Sequence, residues 1–430
     1  MSGTPLTVVH IAWEYPPDVV GGLGVHVAGL AAAEARMGYR VVVLSPGRTP
    51  RRGGEGQGAV TILRAGHRPA PSAGPFLWQL EQLAADLVVR GLKWRESEAE
   101  AEVDPETERG GEREREKDGS DERRGRAPRH GSGREVHEDA PSRANAGWGE
   151  GRIVVHAHDW LVASAALRMA KEWKAPLAVT FHATEWGRRG HDAVRDTYSR
   201  VVSAWERRLA SEADVRIAPS RSLAREALHL GGGPVHVAAG GFDPADEAPR
   251  RHPEPGRLFV ACRLVPDKGL MVLLEALALL ARRRLAVKLA VAGDGPERLR
   301  LKRRAQDLGI ADRVHWLGQL SRTAVDRERS RAWVCVVPSL YEPFGLSALE
   351  AAVSGVPLVA SRVGGLSEWA PPVAHMTDPG DPAALAQSIE AALSDPNPLS
   401  PVEARRRLAP LRWTETAQKV DTALRSRLDV

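Results

Sequence analysis

Two glutamates, Glu342 and Glu350, enclose the run Pro343-Phe344-Gly345-Leu346-Ser347-Ala348-Leu349. The amides of Gly345, Leu346 and Ser347 can open a helix and meet a phosphate, because a helix N-terminus presents unbonded N–H groups and a partial positive charge. Glu350, deeper in that helix, is acceptor-only when ionised and suits a pair of vicinal ribose hydroxyls. Glu342 stands outside the helix, placed to face a sugar. The bland alternative is one carboxylate at a helix start and one on the surface. Upstream, Arg263 and Lys268 stand five residues apart in Arg263-Leu264-Val265-Pro266-Asp267-Lys268-Gly269. There a guanidinium fork and an ammonium point charge can converge on a diphosphate, the alternative being two exposed cations.

Further groups could complete such a site. In Glu14-Tyr15-Pro16-Pro17-Asp18-Val19-Val20-Gly21-Gly22-Leu23-Gly24, Gly21 and Gly22 permit close backbone approach just before a helix whose N-terminal amides could take an anion; simple turn geometry is the competing account. Gly293, in Gly293-Asp294-Gly295-Pro296, opens a turn that could equally admit a nucleotide or only reverse the chain. His156-Ala157-His158-Asp159-Trp160 and Thr180-Phe181-His182-Ala183-Thr184-Glu185 each close an apolar run. A zinc site on His156 and His158 is disfavoured, since no cysteine or further histidine lies at ligand spacing. Core or capping roles for these histidines compete with a functional one.

Positioning these groups requires strand ends. Apolar runs at Leu6–Trp13, Arg40–Ser45, Arg152–His158, Leu177–Phe181 and Val215–Pro219 alternate with helical patterns, as do Leu258–Leu264, Ala286–Ala292, Val314–Leu317, Trp333–Val337 and Leu358–Ser361. Such alternation predicts α/β architecture with two doubly wound Rossmann-like lobes facing across a cleft, and ligands outside the carboxyl ends of the strands. Phe76–Trp94 carries leucines near helical spacing. Residues 96–149 lose nearly all apolar character and are expected to form a disordered charged insertion, a solvated spacer more readily than a tether for a partner. The predicted division is 1–240 as an N-terminal Rossmann-like lobe (with the insertion at 96–149), 241–257 as a Pro-rich, charged linker, 258–402 as a C-terminal Rossmann-like lobe, and 403–430 as a final helix.

Bulk properties set outer bounds. The 430 residues suffice for two or three domains. A formal charge of +5, from 60 basic against 55 acidic residues, describes a mildly basic surface and gives no nucleic-acid signal. Two cysteines, Cys262 and Cys335, suggest no disulfide framework and point to a reducing, cytoplasmic setting. The chain opens without a basic leader or cleavage-site pattern and reads as a first strand. The longest apolar stretch, Gly269–Ala281, is shorter than the ~20 residues a spanning helix needs; peripheral membrane contact stays open.

Together these motifs resemble the retaining GT-B glycosyltransferases, specifically family four, with a secondary likeness to glycogen and starch synthases. The resemblance covers nearly the whole chain outside the insertion, and Glu342–Glu350 is its most specific part. It implies a GT-B fold whose last helix, begun by Leu411-Arg412-Trp413-Thr414-Glu415-Thr416-Ala417, crosses back to the first lobe. It implies that Arg263 and Lys268 neutralise the donor diphosphate, that Glu350 holds the ribose, and that Glu342 contacts the transferring sugar. Gly22 would approach the phosphates or acceptor; His182 and Asp159 would touch the sugar near the reacting carbon.

Departures accompany the likeness. Val19 stands where bacterial glycogen synthases carry a lysine, and Phe344 where they carry a cysteine, both favouring family four. The turn Ala239-Gly240-Gly241-Phe242-Asp243 lacks the usual asparagine, and Trp369-Ala370-Pro371-Pro372-Val373-Ala374 replaces a glycine-containing stretch. The expected chemistry is metal-independent transfer with retention, without a cofactor, from a nucleotide-sugar donor to a saccharide or lipid-linked acceptor. No Asp-x-Asp pair occurs in the chain. The competing expectations are an α-glucan synthase and a scaffold that keeps the fold without catalysis.

Overall fold

The structure, a computed structural model, describes residues 6–17, 21–47, 60–65, 75–101, 153–192, 196–243, 251–394 and 399–428. In the first half, β1 (Thr7–Ala12), α1 (Gly22–Arg36), β2 (Arg40–Ser45), β3 (Val60–Arg64), α2 (Pro75–Ala101), β4 (Ile153–His158), α3 (Ala163–Trp173), β5 (Leu177–Thr180), α4 (Glu185–Arg188), α5 (Thr197–Glu212), β6 (Val215–Ala218), α6 (Arg221–Leu228) and β7 (Val235–Val237) follow one another. The strands form one parallel sheet in the order β3-β2-β1-β4-β5-β6-β7. Its central strands are buried on both faces, which is why they read as unbroken Val/Ile/Leu runs.

A second parallel sheet, ordered β10-β9-β8-β11-β12-β13, comprises β8 (Arg257–Ala261), β9 (Lys288–Ala292), β10 (Val314–Gly318), β11 (Val334–Val337), β12 (Leu358–Ser361) and β13 (His375–Thr377). Around it lie α7 (Leu270–Arg282), α8 (Arg298–Asp307), α9 (Arg322–Ser330), α10 (Leu346–Val353), α11 (Leu366–Trp369), α12 (Pro382–Ser394) and α13 (Pro401–Arg407). The last helix, α14 (Trp413–Leu428), leaves this lobe and packs on α1. Trp413, Ala417, Val420, Ala423 and Leu424 enter one apolar cluster with Val8, Val27, Leu30 and Ala31. The two α/β lobes expected from the alternating pattern are present, each with strand order reversing at its middle, β1/β4 and β8/β11.

Three edge strands, β3, β7 and β13, were not expected. The segment expected as a single helix over 403–430 is divided: α13 ends at Arg407, a short turn spans Ala409–Leu411, and α14 starts at Trp413. The helix expected over Phe76–Trp94 runs on to Ala101, through the first residues of the charged segment expected at 96–149; the rest of that segment lies outside the described residues, as does Val19. The chain crosses between lobes at two adjacent points, because Phe242 and Arg412 form a parallel bridge. Gly241 allows it: a Cβ there would sit 2.7 Å from the Trp413 amide nitrogen.

Candidate active site

Doubly wound sheets bind ligands outside the carboxyl ends of their strands at the reversal points. Here the loops at those ends meet across the lobes, where the Thr184 amide donates to the Tyr341 hydroxyl and Gly22 approaches Leu346. The loop after β8 carries Arg263 and Lys268. Gly269 ends it at φ +66°, and a Cβ there would lie 1.9 Å from the Pro338 carbonyl oxygen, so the loop lies directly on the end of β11. Lys268 Nζ thereby reaches Glu342 Oε2 at 2.9 Å, and Ser339 Oγ donates to the same oxygen at 3.1 Å. Arg263 is exposed and enters no ion pair among the described residues, while its charge reaches Asp159 in the other lobe.

Glu342 also abuts the start of α10. Gly345, at φ +93°, precedes Leu346 without any side-chain cap, so the first amides of this helix are open to an anion. The start of α1 lies opposite: a Cβ on Gly22 would be 3.5 Å from Leu346 Cδ1. The two helix starts differ in one respect. Glu14 Oε1 accepts from the amides of Gly21 (3.1 Å) and Gly24 (2.9 Å), so α1 already holds a carboxylate where the sequence suggested a free anion site. The start of α10 carries no such carboxylate among the described residues.

Glu350 is more heavily engaged than its expected ribose role suggests. Its Oε1 accepts from Arg322 at 2.6 Å and its Oε2 from Arg329 at 2.5 Å. Arg329 is buried, whereas Arg322 is half exposed and can swing aside. Gly293 also has a structural explanation: at φ +130°, a Cβ would meet the Cys262 carbonyl oxygen at 1.9 Å, so its lack of a side chain seats the loop after β9 against the loop carrying Arg263. Trp369, in the departing stretch, donates to the Phe344 carbonyl at 2.8 Å and supports the glutamate loop from behind.

In the first lobe Asp159 occupies a left-handed position, φ 65°, and its Oδ1 accepts from the His182 amide at 2.6 Å. Burial pushes its carboxyl up to about 6, against the opposing pull of Arg188 and Arg263 and of the amides of His182 and Ala183. Asp159 thus fixes the backbone of His182, the residue that the family resemblance puts beside the sugar together with it. Burial also holds the His182 imidazole down at about 3, hence neutral near pH 7. His182 Nε2 lies 3.1 Å from His158 Nδ1, and His26 stands edge-on to its ring with centroids 4.7 Å apart.

Local spacing hid a third buried histidine. His10 on β1 is in register with His156 on β4, and with His158 the three present one nitrogen each within 4.8 Å of one another. The zinc reading was disfavoured for want of a third ligand nearby in sequence; the sheet brings one from β1. His156 Nε2 bonds Thr180 Oγ1 at 2.8 Å, and its Nδ1 has no partner among the described residues.

Contacts between the lobes hold the cleft together. Glu368 accepts from the amides of Arg221 (3.0 Å) and Ser222 (2.7 Å) at the start of α6, and Tyr341 donates to Glu226 at 2.8 Å. No helix among the described residues is long and apolar enough to cross a membrane.

Comparison with known proteins identifies this architecture. The family "Glycosyl transferases group 1" matches residues 243–410, "Glycosyltransferase Family 4" residues 112–246, and "Starch synthase catalytic domain" residues 7–68. Glycogen synthase of Mycobacterium tuberculosis is 32 % identical over 410 residues, covering 91 % of this chain and 87 % of that protein. Sucrose-phosphate synthase from Thermosynechococcus elongatus shares the fold at a TM-score of 0.68 and 20 % identity over 99 % of both chains. Anabaena HepE in complex with UDP-glucose follows at 0.62 and 18 %, over 98 % of this chain and all of that one.

Proposed function

The chain belongs to the group 1 glycosyl transferases, and on that premise we propose that it moves a hexose from a nucleoside-diphosphate sugar to a saccharide hydroxyl with retained anomeric configuration. The observation that carries this reading is the uncapped start of α10 beside the Lys268–Glu342 pair. Charge builds on the departing diphosphate as the bond from C1 to its oxygen breaks. Arg263, Lys268 and the α10 amides stabilise that charge inside a closed cleft. The acceptor oxygen bonds C1 from the same face, and its proton passes to the leaving phosphate oxygen. The proposed step uses neither a resident metal nor an organic cofactor.

Glu342, held by Lys268 and Ser339, faces the sugar in this proposal, and the half-exposed Arg322 yields so that Glu350 accepts from the ribose. Residues 1–240 supply the acceptor side and 258–402 the donor side. Cys262 and Cys335 are free thiols, which suits a reducing, cytoplasmic setting. Glycogen synthase, related over nine-tenths of this chain, favours glucose as the sugar and an α-glucan as acceptor over a lipid-linked or membrane-borne one.

The test is transfer from a panel of nucleotide sugars to maltooligosaccharides and other acceptors. Arg263→Ala/Lys268→Ala should lose at least about 100-fold in kcat/KM, the scale for removing preorganised charge from a leaving group. Wild-type rates in that double variant would remove the diphosphate clamp; incorporation only into non-glucan acceptors would remove the glucan reading.

A further inference from the structure

Glu34 is a carboxylate the transfer chemistry does not use. It lies on α1 with no solvent exposure, and its Oε1 has no partner among the described residues. Leaving a buried carboxylate oxygen unbonded costs stability, and that cost is sustained where another group depends on the carboxylate. Its other oxygen, Oε2, is 2.6 Å from His10 Nε2. His10 Nδ1 is 3.0 Å from His158 Nε2, and His158 Nδ1 is 3.1 Å from His182 Nε2. Four side chains from α1, β1, β4 and the loop after β5 thus form one unbroken hydrogen-bonded line from the core to the cleft.

We propose that Glu34 sets the tautomer of His182 through His10 and His158, so that His182 presents an unprotonated Nδ1 to the donor sugar and accepts a hydrogen bond from one of its hydroxyls. An ionised carboxylate can only accept, and a neutral imidazole has one donor and one acceptor nitrogen. In the proposed line His10 is neutral, its Nε2 carrying the proton toward Glu34 and its Nδ1 accepting from His158 Nε2–H. His158 Nδ1 in turn accepts from His182 Nε2–H. That leaves His182 Nδ1 as a lone pair, with no partner among the described residues. Burial holds His158 and His182 well below the usual imidazole value, which keeps both neutral and preserves the direction of the line. Reversing it would turn Nδ1 into a donor and mismatch a site built to accept. Glu34 and His10 are positioning residues here, acting on the sugar only through His182. The inference rests on the reading that His182 faces the donor sugar.

The experiment uses the full chain labelled with ¹⁵N-histidine and long-range ¹H–¹⁵N correlation to read each ring's tautomer, with His182 assigned by its loss in His182→Gln. Wild type should show His182 protonated at Nε2 only. Glu34→Gln, which can donate as well as accept, should give a mixed tautomer at His182 and lower kcat/KM about 10-fold, the scale of one hydrogen bond. His10→Gln, which interrupts the line at its second member, is the companion variant should Glu34→Gln fold poorly, and should have the same effect. His182 protonated at Nδ1 in the wild type overturns the inference. So does an altered tautomer in Glu34→Gln with unchanged transfer, or stoichiometric metal on the His10/His156/His158 nitrogens by elemental analysis, since a metal would take the lone pairs the line needs. The tautomer is read without substrate, so its failure removes the relay whatever the transfer assay gives. Absence of transfer from any nucleotide sugar, with the tautomer intact, removes the functional reading instead.

Discussion

Replacing Lys268 separates two roles that a single activity measurement would merge. Lys268 and Glu342 meet at 2.9 Å with side chains 14 % and 12 % exposed. At an effective dielectric of about 20 their attraction is about 6 kcal/mol, most of it offset by desolvating the two charges. Lys268→Met removes the cation and leaves Glu342 with Ser339 Oγ at 3.1 Å as its remaining side-chain donor. Breaking a buried pair costs about 3–5 kcal/mol; the residual exposure of both groups admits water and brings the expected loss to about 2–3 kcal/mol. In a unit of 150–250 residues that corresponds to about 4–12 °C in Tm. Transfer should also fall about 100-fold or more. Lys268→Met/Glu342→Gln removes both charges, so most of the lost stability should return, read by calorimetry or urea unfolding, while transfer stays as low as in the single variant. A double variant no more stable than Lys268→Met would refute the ion-pair account. A single variant retaining more than a tenth of wild-type kcat/KM would refute the diphosphate role.

Other perturbations follow from the same contacts. Glu206 is buried, its Oε2 has no partner among the described residues, and burial pushes its carboxyl from 4.5 up to about 8. The folded state therefore holds a proton that the unfolded chain releases above about pH 4.5, so this stabilising contribution is complete below that pH and is lost as pH rises toward 8. Glu206→Gln should flatten the fall in Tm between pH 5 and 8, and an unchanged slope would count against the burial argument. Gly269→Ala should destabilise by more than about 3 kcal/mol, because it combines a left-handed backbone with a Cβ 1.9 Å from a carbonyl oxygen; a loss under 1 kcal/mol in urea unfolding would contradict the loop contact. Glu368→Ala removes two inter-lobe hydrogen bonds. By depopulating the closed form it should raise the donor KM about 5-fold and enlarge the radius of gyration in small-angle scattering, and no change in either would show that the contact does not govern closure.

The parallel α/β order was legible because doubly buried strands leave continuous apolar runs that no loop composition imitates. Strands β3, β7 and β13 escaped: β7 and β13 are three residues long, and β3 lies at an edge with a single buried residue. At the site, residue types at strand ends revealed Arg263, Lys268, Glu342 and Glu350 as candidates, but not whom each would meet. Glu14 capping α1 from seven residues upstream fits no sequence cap pattern, and Arg329 beneath Glu350 reads as one more basic residue of a polar helix. His10 is the clearest omission. Inside a buried strand it carries no local signal, and only the register with His156 and the position of Glu34 give it meaning.

The return of α14 to the first lobe also fixes an order of events in synthesis. Val8, Leu30 and Ala31 find their cover on Trp413, Ala417 and Leu424, and Gly29 lacks a Cβ where the Trp413 indole presses against α1. The earlier lobe is thus completed by residues translated only after the second lobe. At about 5–20 residues per second, the stretch from 240 to 428 leaves that apolar face open for about 10–40 s on the ribosome. Splitting the chain near 240 would make that wait permanent and leave the apolar face of α1 without its cover from α14.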